Sequence, residues 1–450
     1  MTTIRTSLRA ETTRPILARL KKANAAFARD YPGDPVERQP VHTVYGGAQI
    51  FKADSAARLG DIALRALREY APGPRVFADV LGLGPLAATV HARVVKKLET
   101  EPVEDFRIDF EDGYGNRPDA EEDADAARTA EEVARGMEAG SLPPFLGIRI
   151  KPLSGELHAR AVRTLDVFVT TLAVLTRSRL PSNFVVTVPK VTIPEQVQAA
   201  ADLFALLEKR TKLARGALQM ELMVETTQAV LDRRGEAGLR GLVEAGGGRC
   251  RGVHFGTYDY TASCNITAAH QTMTHPACDF AKSVMQVTMA GTGLQLSDGA
   301  TNIMPVPPHR AAPGGPALTE AQVRENRTAV HRAWRLHFDH VQHSLRNAFY
   351  QGWDLHPAQL PTRYAAVYGF FLESLEAASR RLKGFTEKAA QATLLGDVFD
   401  DAATGQGLLN YFLRGLNCGA ITPEEARGTG LTLDEIRGRS FLKILEARRG

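Results

Sequence analysis

Residues 183–225 read NFVVTVPKVTIPEQVQAAADLFALLEKRTKLARGALQMELMVE. The first seven residues and the last seven are short runs rich in β-branched and apolar side chains. Between them, 194–214 carries apolar residues at helical spacing. A strand, an amphipathic helix and a second strand at this pitch predict a parallel crossover unit.

The same alternation extends in both directions. Strand-like runs stand at 42–46 (HTVYG), 104–110 (EDFRIDF), 145–150 (FLGIRI), 252–256 (GVHFG), 300–306 (ATNIMPV) and 353–356 (WDLH). With 183–189 and 219–225 they make eight. Helical stretches are predicted at 54–70, 84–99, 119–137, 156–179, 194–214, 227–245, 276–290 and 319–349. Eight strand–helix units over this length predict an α/β fold, a (β/α)8 TIM barrel; a doubly wound open sheet is the alternative. Residues 5–30 predict a leading helical segment that ends at Pro32, Gly33 and Pro35. From 364 onward helices are expected at 364–383, 385–395, 404–415 and 432–447, with no clear strand. The expected division is an N-terminal helical segment 1–40, a barrel 41–362 and a helical C-terminal extension 363–450. The Pro-rich stretch 305–316 follows the seventh run, either as a gating loop or as plain surface.

Composition narrows the function classes. Among 450 residues, 55 are basic and 51 acidic, for a net charge of +4. That balance does not favour nucleic acid or an anionic membrane as partner. The acidic stretch 118–138 and the mixed segment 427–449 read as solvated helix faces. The four cysteines, Cys250, Cys264, Cys278 and Cys418, show no zinc spacing and suit a reducing compartment. No signal peptide is evident. No run reaches the roughly 18 apolar residues of a membrane span. The expected location is cytoplasmic.

In such a barrel the reactive residues stand at C-terminal strand ends. The second run closes on Asp109, Glu111, Asp112 and Gly113, a crowding of carboxylates that a cation or a set of donors would relieve; an exposed acidic turn would look the same. Arg149 lies mid-strand between Ile148 and Ile150 and points to the opposite face from them. Its fork suits a substrate carboxylate or an ion pair with the second strand's acids. Lys190 ends the fourth run, as a carboxylate or phosphate contact, a Schiff-base lysine or a solvated one. Glu225 and Asp259 close the fifth and sixth runs, and two carboxylates on adjacent strand ends can hold one hard cation. His356 and Gln359 stand at the eighth mouth, where the histidine could instead fix the turn.

The set DFEDGYG, GIRIKP, VPKV, MVETT, FGTYDYT and GWDLHPAQLP, in this order, resembles the HpcH/HpaI aldolase and citrate lyase β-subunit superfamily, which includes malate synthases. The resemblance covers residues 40–362. Tyr258–Asp259–Tyr260 and Asn302–Pro305 are similar to malate synthase motifs.

The resemblance implies a Mg²⁺- (or Mn²⁺-) dependent carbon–carbon lyase or synthase. It would act on a 2-oxo acid or an acyl-CoA through a metal-stabilised enolate, with CoA entering as part of a substrate. Glu225 and Asp259 would bind the metal, and Arg149 the substrate. Glu111 and Asp112 would hold metal-bound waters. Lys190, Gly256 and His356 would line the substrate position. An aspartate of the C-terminal extension would be the base: Asp397, Asp400 or Asp401, of which Asp400 is taken here. Barrels of this family usually form homo-oligomers. His42, at the start of the first strand, faces the wrong end for catalysis. A phosphoenolpyruvate-type enzyme on the same metal site and a non-catalytic ligand-binding barrel are the alternatives.

Overall fold

The structure is a computed structural model that describes residues 6–33, 35, 37–312, 314–387, 393–395, 398–400 and 402–449. Eight strands close into a barrel in sequence order: β1 (His42–Gly47), β2 (Asp105–Asp109), β3 (Phe145–Arg149), β4 (Phe184–Val188), β5 (Gln219–Val224), β6 (Cys250–Phe255), β7 (Gln295–Ala300) and β8 (Gln351–Asp354). Neighbours are parallel all the way round, and β1 pairs with both β2 and β8. The barrel expectation therefore holds and the open sheet is excluded.

The crossovers are helices whose buried positions repeat at helical spacing. In Ser55–Tyr70 these are Gly60, Ala63, Leu64, Leu67 and Tyr70. The last crossover, Glu320–Arg346, starts on a capping box in which Thr319 and Gln322 satisfy each other's backbone N–H groups. One continuous apolar core fills the space between strands and helices.

Alternation decides what faces inward. In β2, Phe106, Ile108 and the following Phe110 join that outer core, while Asp105, Arg107 and Asp109 turn to the lumen. Register then sets Asp109 beside Arg149, Arg149 beside Thr187, and Thr187 beside Glu221. The lumen is thus polar where barrels of this class usually pack branched apolar side chains. Arg107 bonds Asp105, Thr187 at 3.1 Å and Glu221 at 2.6 Å. Thr43 donates to Asp105 at 2.8 Å and receives from Gln351 at 2.9 Å.

Three expectations need correction. The seventh strand is Gln295–Ala300, not 300–306. Gly299 within it is dictated by packing, since a Cβ there would lie 2.1 Å from Thr257 Oγ1. The C-terminal extension is not free of strands: β9 (Thr393–Leu395) and β10 (Val398–Asp400) pair antiparallel. The helices expected at 364–383 and 385–395 are instead one helix, Leu360–Glu387. The leading helix spans Ala10–Asp30 and buries none of its residues. Among the described residues, no helix is long and apolar enough to cross a membrane.

Candidate active site at the barrel mouth

Asp109 is the anchor of this end. Its carboxylate receives Arg149 Nε at 2.7 Å and Nη2 at 2.5 Å. It also accepts the backbone N–H groups of Glu111 at 3.0 Å and Gly113 at 2.7 Å. All its lone pairs are engaged, so Asp109 is a structural acceptor that fixes the turn carrying Glu111 and Asp112. Gly113 must be glycine here: a Cβ would lie 2.6 Å from Asp109 Oδ2.

Arg149 is buried on that anchor. Burial works against its charge, and Asp109 followed by Glu111 more than offsets it, so the guanidinium stays protonated. Two of its three nitrogens are spent on Asp109. The third, Nη1, lies 3.1 Å from Glu111 and 3.8 Å from Asp112. Tyr45 and Trp353, 4.4 Å apart, flank the guanidinium at 4.7 and 5.8 Å. Sequence reasoning missed both aromatics, because an aromatic residue in a strand carries no sign of which side it lines.

Lys190 follows β4 with φ +49°, a left-handed conformation rare outside glycine. The bend turns its N–H onto Glu225 Oε1 at 2.7 Å. It also swings the ammonium into the mouth, where Nζ contacts Glu111 and lies 3.3 Å from Asp112 and 3.4 Å from Asp259. Burial opposes this charge too, but Glu111 and then Glu225 raise its pKa above the ordinary value.

Glu225 is buried directly after β5. Thr226 holds the next turn, donating to Val191 O at 2.7 Å and accepting the N–H of Ala229. Burial, and then the charge of Asp259, push the Glu225 carboxyl up to about 8. Asp259 sits in the first turn of the short helix Thr257–Ser263, half-exposed on the same mouth. Burial likewise raises Glu111. At Asp112 burial is outweighed by Arg149 and Lys190, and its pKa falls.

Five of the expected site residues, Glu111, Asp112, Arg149, Lys190 and Asp259, therefore lie within one ion-pair cluster, and Glu225 joins it through the Lys190 backbone. Two others do different work. Gly256 makes room for Glu225: a Cβ there would lie 2.4 Å from Glu225 Oε2. His356 caps the turn Pro357–Gln359, its Nδ1 accepting the Ala358 N–H at 3.1 Å. Asp397 and Asp401 lie outside the described residues, and of Asp400 only the backbone is described, as the end of β10. His42 is buried away from the mouth, 3.0 Å from Asp354.

The donor set fits a hard divalent ion. Glu225 and Asp259 are carboxylates on neighbouring strand ends, and one of them is too deeply buried to ionise cheaply without a cation. Among the described residues no group of three or more His, Cys, Asp or Glu side chains is gathered for a metal. The fit is thus to an ion that takes one or two protein carboxylates and fills its shell with water and substrate oxygens, not to a closed zinc cage. The opposite end of the barrel opens to a separate cavity of about 320 Å³ above Asp105, Arg107 and Glu221.

The chain is similar to known proteins in its sequence family and in its fold. The family described as a domain of unknown function, DUF6986, matches residues 20–444. No curated protein matches. Among solved structures, a citrate lyase from Burkholderia xenovorans is 16% identical with a TM-score of 0.56, over 87% of this chain and 97% of that one. The protein CitE from Mycobacterium tuberculosis, in complex with magnesium, acetoacetate and coenzyme A, is 14% identical with a TM-score of 0.48, over 86% and 100%. A malate synthase from Haloferax volcanii is 14% identical with a TM-score of 0.47, over 92% and 98%. The citrate lyase shares the fold; the other two superpose less closely.

Proposed function

We propose that this chain, which belongs to the DUF6986 family, is a metal-dependent carbon–carbon lyase or synthase of the citrate lyase and malate synthase type. Its substrate class is a 2-oxo acid, with an acyl-CoA as partner substrate. The observation that carries the reading is the buried Glu225 carboxyl, raised to about 8 beside Asp259 at the mouths of adjacent strands. The citrate lyase fold and the ordered motifs along the barrel support it.

Glu225 and Asp259 would hold Mg²⁺ or Mn²⁺. When bound, the ion supplies Lewis-acid stabilisation of negative charge on a substrate oxygen. The protein's own residues do the rest. Arg149 is locked by Asp109, and its Nη1, paired with Glu111 here, would turn to a substrate carboxylate; Lys190 Nζ brings a second positive charge to the same space. Glu111 and Asp112 accept hydrogen bonds from water at the site. Tyr45 and Trp353 form an apolar floor that excludes bulk water beneath the guanidinium and strengthens its grip on an anion. Asp400, in the C-terminal extension, is the proposed base.

The test is calorimetric titration with Mg²⁺ and Mn²⁺, followed by turnover of 2-oxo acids with and without acyl-CoA. Glu225→Gln and Asp259→Asn should each abolish ion binding and turnover in a folded protein. Full activity in excess chelator would end the metal reading.

A further inference from the structure

We propose that the N-terminal helix Ala10–Asp30 is an exchange arm that docks on helix Pro276–Met289 of a second copy of this chain. Three observations meet in this assignment.

The first is that the arm leaves its apolar side chains in water. None of its residues is buried. Ile16, Leu20 and Phe27 are among the exposed large apolar residues of the chain, together with Phe280 and Val287 on the second helix. These five are between 51% and 80% exposed. Single exposed leucines are ordinary, but rows of them mark an interaction surface.

The second is that the two rows match in spacing and length. On the arm, Ile16, Leu20, Ala23 and Phe27 recur at intervals of four, three and four. On the other helix, Ala277, Phe280, Val284 and Val287 recur at three, four and three; Phe280 and Val287 stand in solvent, while Ala277 and Val284 are half-buried against the chain's own core. Both are narrow seams of the kind that pairs one helix with another. At about 1.5 Å per residue they run for about 16 Å and about 15 Å.

The third is where the arm is rooted. Beyond its last turn, the Gly33 N–H donates to Gly291 O at 2.8 Å, and Arg240 lies over the Tyr31 ring at 5.2 Å. Gly291 lies two residues beyond the helix that exposes Phe280 and Val287. Arm and acceptor seam therefore share one corner of the molecule, so a two-fold axis there lets each copy give its arm and receive the other's. That corner precedes β7, at the end of the barrel away from the mouth.

The area reaches what a specific pair needs. Half-exposed side chains of this size each offer roughly 100 Å². Three from the arm, two from the seam and the same five from the second copy reach about 1,000 Å², the lower bound for a specific interface.

The experiment is sedimentation velocity of the full chain at micromolar concentration. The double variants are Leu20→Glu with Phe27→Glu on the arm, and Phe280→Glu with Val287→Glu on the seam. All four side chains are exposed in the single chain, so each variant should keep a cooperative melting transition, at a lower temperature than the associated wild type. The expected result is a wild type at an even multiple of 48.9 kDa, with each double variant falling to a lower mass. A wild type that sediments as a monomer, or either double variant keeping the wild-type mass, overturns the proposal. So does a monomer whose arm binds vesicles of anionic phospholipid. If a double variant loses its melting transition, the single variants Leu20→Glu and Val287→Glu decide by the same criterion.

Discussion

Glu225 passes so close to Gly256 that only a hydrogen fits between them. A methyl on Gly256 would stand 2.4 Å from Oε2 and 2.5 Å from Cβ of the glutamate. The backbone of Gly256 has φ −105°, which any residue can adopt, so the restriction is one of space. Gly256→Ala should displace the carboxylate and weaken Mg²⁺ binding at least tenfold. The overpacking should cost about 1–3 kcal/mol. Calorimetric titration and thermal melts measure the two effects separately, and an alanine variant with wild-type ion affinity would refute the spacing argument.

The raised Glu225 carboxyl makes the ion-free protein sensitive to pH. An unfolded glutamate ionises near its ordinary value of 4.5, whereas the folded one holds its proton until about 8. The unfolded state therefore releases its proton first as pH rises. This group's contribution to stability is full below about pH 4.5 and is lost progressively up to about pH 8, on the order of a few kcal/mol. Melts in chelator should fall across that window, and Glu225→Gln should flatten the fall. Ion binding needs the deprotonated form, so Mg²⁺ affinity should rise with pH towards 8 and binding should release close to one proton. Titrations in buffers of different ionisation enthalpy count that proton.

Lys190 has two separable tasks. Its left-handed backbone seats Glu225, and its ammonium enters the mouth. Lys190→Gly keeps the first and removes the second. The glycine relieves backbone strain but leaves Glu111, Asp112 and Asp259 without their shared ammonium, so the ion-free protein should lose about 1–3 kcal/mol. Turnover should drop roughly 10²–10³-fold, as for loss of one charge-stabilising donor. Equal activity in the glycine variant would remove the ammonium from the mechanism.

Arg107 holds the lumen together beneath the site. Arg107→Met leaves Asp105 and Glu221 without their shared cation and should destabilise by about 3–5 kcal/mol. The triple change Arg107→Met, Asp105→Asn and Glu221→Gln should recover a large part of that loss, because no uncompensated charge remains. Urea unfolding of the two variants checks the difference.

How much of this was legible in the sequence varies with the physical signal. Strands such as Phe184–Val188 announce themselves because both faces are buried and the run is continuously apolar. Gln295–Ala300 does not, since it mixes polar residues with Gly299, which close approach to the helix after β6 demands. The pair β9 and β10 consists of strands three residues long, too short for alternation to register. The acids of the mouth were visible because three of them follow one apolar run. Their partners were less so: that Arg149 would spend two nitrogens on Asp109 depends on register between β2 and β3, which no single strand reveals. The charged lumen lay in plain sight in DFRIDFE, where every second residue is ionisable, yet it could be read only once the closed barrel assigned that face to the inside.

The Lys190 ammonium has a consequence for how the site waits. Touching Glu111 and lying near Asp112 and Asp259, it acts as a resident counter-ion, so these acids do not drive the strand ends apart when no other cation is near. An ion bound as proposed would add to a framework already in place, and the mouth would need no rebuilding.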